Sequence, residues 1–345
     1  MDPRGSYYET QKRFGSMKRF PSVCALALAV GACGGSTNPF SGTVTAGTGT
    51  TTTATTTAIP EAVQSALASF TYDPTQDSIV ITGVSVDGSN GGTAYRRRAN
   101  LDIIASDGSV AYQAYTAQAG PLLEHSTNYV KTIGDVTAAV AITGGQFRHY
   151  SGGTLYTRDP GEDYEPIVDN NGDGVIATYA GKYIGLSNVW GVDTDLLPLT
   201  GTIDSSVVPH QASIVNGTIR INVDFSDKII KGGITQRTLT VPEYDPLTIE
   251  TETQEVLPTL LLVPTTVADD GTFSGEVEIP NPLTVGTYAG ILGGPDSNAI
   301  AGGLFADNHF DDQRVGEEEY GIFVLGRCGT TASNGAIECT TGESN

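Results

Sequence analysis

Basic side chains are scarce in this chain. It carries 18 lysines and arginines against 39 acidic residues over 345 positions, a formal charge of −21 at pH 7. Such a chain repels phosphate instead of releasing counterions from it, so nucleic acid is excluded as a partner. Histidine is scarce too. His125, His149, His210 and His309 lie far apart, and none stands in a metal-ligand spacing. There is no Gly-x-Ser-x-Gly elbow and no phosphate-binding loop. Acidic residues are too many for their sequence to single out a catalytic pair. The chain is therefore not read as an enzyme. The apolar run at residues 23–30 is too short to span a bilayer as a helix.

Glycine, by contrast, is plentiful at 43 residues, threonine-rich segments recur, and only 17% of the residues are charged. This composition favours an all-β protein, and the length allows two modest domains. Residues 1–33 read as a secretory signal rather than as fold. Met17-Lys18-Arg19 is a basic start, the apolar run follows, and Val30-Gly31-Ala32-Cys33 ends it. The last four residues resemble the lipobox of bacterial lipoproteins, in which the cysteine becomes the lipidated first residue. The resemblance implies lipidation at Cys33, with Met17 as the working start. Gly34 after the cysteine implies sorting to the outer membrane. Residues 34–60 are nearly all Thr, Gly, Ala and Ser in their centre and read as a flexible tether. A chain of that length reaches about 30 Å.

Residues 61–165 read as a β-rich domain. Apolar alternation at 69–72, 78–82, 101–105, 110–117, 136–143 and 146–150 is broken by turn residues, and 61–69 suits one short helix. Arg96-Arg97-Arg98 is the one basic cluster after the signal. It reads either as a partner contact or, preferably, as charge guarding an exposed edge strand. Residues 169–174, Asp-Asn-Asn-Gly-Asp-Gly, match the opening of a calcium loop. Asp169, Asn171 and Asp173 are the ligand candidates. Position twelve is Ala180 instead of a bidentate Glu, so an Asx-rich turn is the preferred reading and any Ca²⁺ there is held weakly. No other cofactor is expected.

From residue 175 onward, eight strand candidates follow at 175–184, 218–225, 229–240, 259–263, 272–279, 287–292, 299–306 and 320–325. Eight antiparallel strands close a barrel filled by its own side chains. Thr178-Tyr179-Ala180-Gly181 recurs as Thr287-Tyr288-Ala289-Gly290, as equivalent strands would. Tyr288-Ala289-Gly290 followed by Ala301-Gly302-Gly303-Leu304-Phe305 resembles the Gly-aromatic-Gly and small-Gly-Gly strands of the transferrin-binding-protein-like surface lipoproteins of Gram-negative bacteria. Val223-Asp224-Phe225 and Ile230-Lys231-Gly232-Gly233-Ile234 are similar to a further strand pair of that family. The resemblance implies a handle-like β domain beside the barrel at 166–327.

Cys328 and Cys339 close the chain. In an exported protein they read as a disulfide in the tail 328–345, contributing about 3 kcal/mol in the chain-entropy model. Asp307, His309, Phe310, Asp311, Asp312, Glu317, Glu318 and Glu319 form an acidic loop before the last strand. It reads as a solvated hairpin loop or as a docking loop for a protein partner with a basic surface, His309 and Phe310 being the anchors. Function is expected to be that of a lipid-anchored binding module at the cell surface, the family implying an iron or haem carrier as the class of partner. The alternative is a structural envelope lipoprotein with no dedicated ligand.

Overall fold

The computed structural model describes residues 59–73, 76–85, 92–147, 149–160, 164–191, 195–241, 253–310, 316–333 and 336–340. The signal, Cys33 and nearly all of the tether lie outside the described residues. The protein is all-β. Its first sheet holds β1 (Ser69–Asp73), β2 (Ser78–Thr82), β3 (Thr93–Arg97), β4 (Ile103–Ile104), β5 (Val110–Ala117), β6 (Ser126–Ile133), β7 (Val136–Thr143) and β8 (Gly152–Arg158). The path runs β1-β2-β3-β5-β6-β7-β8, with β4 paired to β5. One stretch nearly closes it into a barrel. Thr154 Oγ1 on β8 donates to Val63 O at 2.9 Å, Ala66 N to Gly152 O at 3.0 Å, and Ala68 N to Thr82 O at 2.9 Å. The short helix Glu61–Gln64 thus sits between the two edges.

Strands β3, β6 and β8 are absent from the sequence-based expectation, and 146–150 is a tight turn instead of a strand. The glycines that open β8 read as punctuation, yet they are sheet residues that let another backbone approach. A Cβ on Gly153 would lie 2.0 Å from Gln64 O. The arginine cluster does not guard an edge either. β3 pairs with β2 on one side and β5 on the other, so Arg97 and Arg98 are spent on ion pairs with Asp102 and Asp195.

The second sheet contains β9 (Ile176–Gly191), β10 (Gln211–Asp224), β11 (Ile229–Val241), β12 (Thr253–Val256), β13 (Leu260–Thr266), β14 (Thr272–Ile279), β15 (Leu283–Gly293), β16 (Ala299–Asp307) and β17 (Glu318–Gly326). β12 hangs from β11, and the other eight close through the β10–β11 pairing into the expected antiparallel barrel. Period-two alternation sets its two faces. Phe323 and Leu325 of β17 fill the barrel with Tyr183, Ile219, Ile234 and Tyr288. Tyr320, Ile322 and Val324 point the other way and join Tyr115, Val140 and Ile142 of the first sheet in a shared core. Part of the barrel's outer wall is therefore an apolar face covered by the first sheet.

One handle side chain enters that wall. β17 pairs with β9 only from Glu319↔Ser187 to Ile322↔Ile184, and the two strands then part. The buried Tyr112 hydroxyl fills the gap, accepting from Val324 N at 3.2 Å and donating to Lys182 O at 2.8 Å. A phenol from the first sheet thus replaces missing ladder bonds of the second.

Candidate functional site

The predicted acidic loop is mostly interior. Glu319 and Arg237 are both 0% exposed, and His309, Phe310 and Glu317 are buried with them. Asp307 and Glu318 are partly exposed at the barrel rim, while Asp311 and Asp312 lie outside the described residues. Glu319 is aimed inward by alternation, in phase with Gly321, Phe323 and Leu325. Arg237 is aimed inward by a β-bulge. Asn216 faces Thr238 but Thr218 faces Thr235, and Gln236 takes φ of 51°. The extra residue shifts the alternation of β11, turning an arginine that would face solvent into the barrel.

Four polar groups meet there. Arg237 Nη2 pairs with Glu319 Oε2, and Arg237 Nη1 donates to Pro258 O at 2.6 Å. Tyr183 OH donates to Glu319 Oε1 at 2.6 Å. His309 Nε2 lies 3.0 Å from both Glu319 Oε2 and Arg237 Nη2. Space for this cluster comes from Gly321 and Gly185, which face each other across β17 and β9. A Cβ on Gly321 would lie 1.8 Å from the Tyr183 hydroxyl, and one on Gly185 2.7 Å from Glu319 Oε1. Burial pushes the Glu319 carboxyl up, but Arg237, His309 and Tyr183 together outweigh it and hold it at about 2. The described ends of the loop are tied together. Phe310 N donates to Glu317 Oε1 at 3.0 Å, Gly316 N to Asn308 Oδ1 at 3.1 Å, and Asn188 Nδ2 to Gly316 O at 2.9 Å. The cluster lies beneath the described ends of this loop, and its buried side chains are not available to a partner in this conformation.

The calcium-like turn is an Asx turn. Asp169 Oδ1 accepts from Asn171 N at 2.8 Å and Asp173 N at 3.0 Å. These backbone bonds hold the Asp169 carboxyl below the usual carboxylate range. Among the described residues, no set of three His, Cys, Asp or Glu side chains is placed to hold a metal. The Cys328–Cys339 disulfide is formed.

A different surface gathers exposed apolar side chains. Leu122, Leu123, Phe147, Leu197 and Leu199 are all exposed, Phe147 to 59%. Hydrogen bonds bring their loops together. Gln146 Nε2 donates to Leu122 O at 2.7 Å and Val207 O at 2.9 Å. Gln118 accepts from Leu197 N at 2.7 Å and donates to Leu123 O at 3.2 Å. Beneath them Asp195 is shared by Arg98 and by His125 Nε2, the latter at 2.7 Å. Burial first, then the charge of Arg98, holds His125 down at about 4, so its imidazole is neutral at pH 7 and donates. Phe147 sits in a two-residue turn between Gln146 and His149, at φ of 55°. That turn favours Gly or Asn at such angles, and a bulky residue there costs about 1–3 kcal/mol. An aromatic ring is thus held out in solvent at a position that disfavours it.

No protein-family model matches the chain, and no curated protein matches it in sequence. Solved structures do match. A transferrin-binding protein B double mutant from Haemophilus parasuis aligns at 11% identity, over 74% of this chain and 43% of that one, with a TM-score of 0.36. Transferrin-binding protein B from Neisseria meningitidis aligns at 13% identity, over 76% and 52%, with a TM-score of 0.29. A surface lipoprotein aligns at 14% identity, over 57% and 79%, with a TM-score of 0.32. The chain spans about half the length of the transferrin-binding proteins it matches. The two transferrin-binding protein B structures belong to the family whose strand motifs the sequence resembles.

Proposed function

We propose that this protein is a non-enzymatic binding module, tethered by a lipid on Cys33 to the outer membrane of a Gram-negative cell and displayed at its surface. In this reading residues 61–165 form the handle and 166–327 the scaffold barrel. The partner is a protein, an iron or haem carrier being the class that the motif resemblance implies. It docks on the loops carrying Leu122, Leu123, Phe147, Leu197 and Leu199. The observation that carries this reading is Phe147. Exposed apolar residues grouped on loops mark interaction surfaces, and a strained exposed aromatic gains nothing for the fold alone. The charge of −21 favours a partner with a basic surface, and salt should slow association more than dissociation.

Two results are expected. Affinity capture with the soluble form lacking residues 1–33 should retain one partner, and Phe147→Gly should weaken it at least about tenfold. The same change should alter unfolding free energy by no more than about 1 kcal/mol, since glycine relieves the φ strain but adds chain entropy. Equal affinity in wild type and variant would remove the patch from the reading. A structural envelope role predicts no saturable partner at all. Anchoring is tested separately. Cys33→Ser should abolish incorporation of a fatty-acid label and shift the protein out of the membrane fraction. An unlabelled wild type would overturn the lipid anchor.

A further inference from the structure

A cleft of about 190 Å³ lies between the handle hairpin at 105–111, the outer barrel wall and the tail. Lys131, Lys182 and Glu338 all line it. Lys182 Nζ lies 3.4 Å from Glu338 Oε1. The Lys131 ammonium rests 4.9 Å from the centre of the Tyr112 ring and feels the charge of Glu338. That ring cannot swing away, because its hydroxyl is fixed between Val324 N and Lys182 O. Two ammoniums thus face Glu338 in the cleft, while the carboxylate of Asp107, which also lines it, is exposed and accepts from Ser109 N and Oγ. Burial, the larger influence, holds Lys131 down at about 8 despite the pull of Glu338, as befits an ammonium short of an anion. Glu338 is delivered covalently. It precedes Cys339, which is bonded to Cys328, and its carbonyl accepts from Arg220 Nη1 at 3.3 Å.

We propose that this cleft binds a small soluble oxyanion, a carboxylate or phosphate group, at Lys131 and Lys182, and that Glu338 is a tethered occupant which the free anion displaces. The chemistry is that of paired ammoniums in a partly desolvated site, where an anion interacts more strongly than in water. Small residues such as Ala105, Gly181 and Ala332 line part of the cleft, beside the aliphatic Ile133 and Ile337.

Calorimetric titration of the full chain with inorganic phosphate, at constant ionic strength, tests this. Glu338→Gln should bind phosphate about tenfold more tightly than wild type, and Glu338→Gln with Lys131→Met should show no saturable binding. A second readout does not depend on the double variant folding. Phosphate should slow acetylation of Lys131 by acetic anhydride in Glu338→Gln, followed by peptide mass spectrometry, while Lys228 reacts at an unchanged rate. Binding no tighter in Glu338→Gln than in wild type, or acetylation of Lys131 indifferent to phosphate, would overturn the proposal.

Discussion

Arg237→Met should cost about 3–5 kcal/mol of unfolding free energy, because it leaves the Glu319 carboxylate buried without its cation. Glu319→Gln should cost a similar amount by stranding the guanidinium. The two losses should not add. Replacing both by apolar residues removes both desolvation penalties, so Arg237→Met with Glu319→Leu should recover much of the loss. Urea denaturation with a double-mutant cycle measures this, and strict additivity would contradict it. The same cluster sets a pH dependence. The Glu319 carboxyl is lowered from 4.5 to about 2 in the folded chain. Its contribution, about 3 kcal/mol, is therefore complete above the ordinary carboxylate range and is lost as pH falls toward 2. Glu319→Gln should flatten that part of the acid profile.

Tyr112→Phe should cost about 2–4 kcal/mol, more than the loss of one hydroxyl implies. The ring, and with it the support under Lys131, is retained. What goes is the partner of two buried backbone groups, Val324 N–H and Lys182 C=O. Each unmet group costs about 1–3 kcal/mol. The damage should be local as well as global. Amide exchange at Val324 should accelerate strongly, while Tyr320, which lies before the strands part, should change only with global stability. A loss below about 0.5 kcal/mol with Val324 still protected would show that β9 and β17 close without the phenol.

The barrel was legible because its strands obey the period-two rule and are bounded by Gly, Pro and Asn turns. Gly290, Gly302 and Gly303 belong to that pattern and also carried the resemblance. The interior cluster was not legible, for a definable reason. Arg237 reaches the interior only through the bulge at Gln236, and a one-residue slip inverts a strand's faces. Glu319 and His309 read as solvated because charge predicts exposure, and their partner lies 72 to 82 residues away in sequence. The handle was legible in part. β6, Ser126–Ile133, is buried at Ser126, Thr127 and Asn128 as well as at Tyr129 and Val130, so it lacks the alternation that identifies a half-buried strand. The apolar patch carried a faint signal. Leu122-Leu123 and Leu197-Pro198-Leu199 are apolar residues inside turn-rich sequence, where neither sheet nor helix period explains them. The hydrogen bonds of Gln118 and Gln146 bring them to one place.

In the proposed function, the loop patch around Phe147 meets a protein partner at the cell surface. The most direct test is a photoreactive phenylalanine analogue placed at residue 147, crosslinked in intact cells that make the protein. The same analogue at Gln236, exposed on the barrel wall, serves as control. One discrete crosslinked species is expected from position 147 and none from position 236. No product at 147, or the same products from both positions, would contradict it.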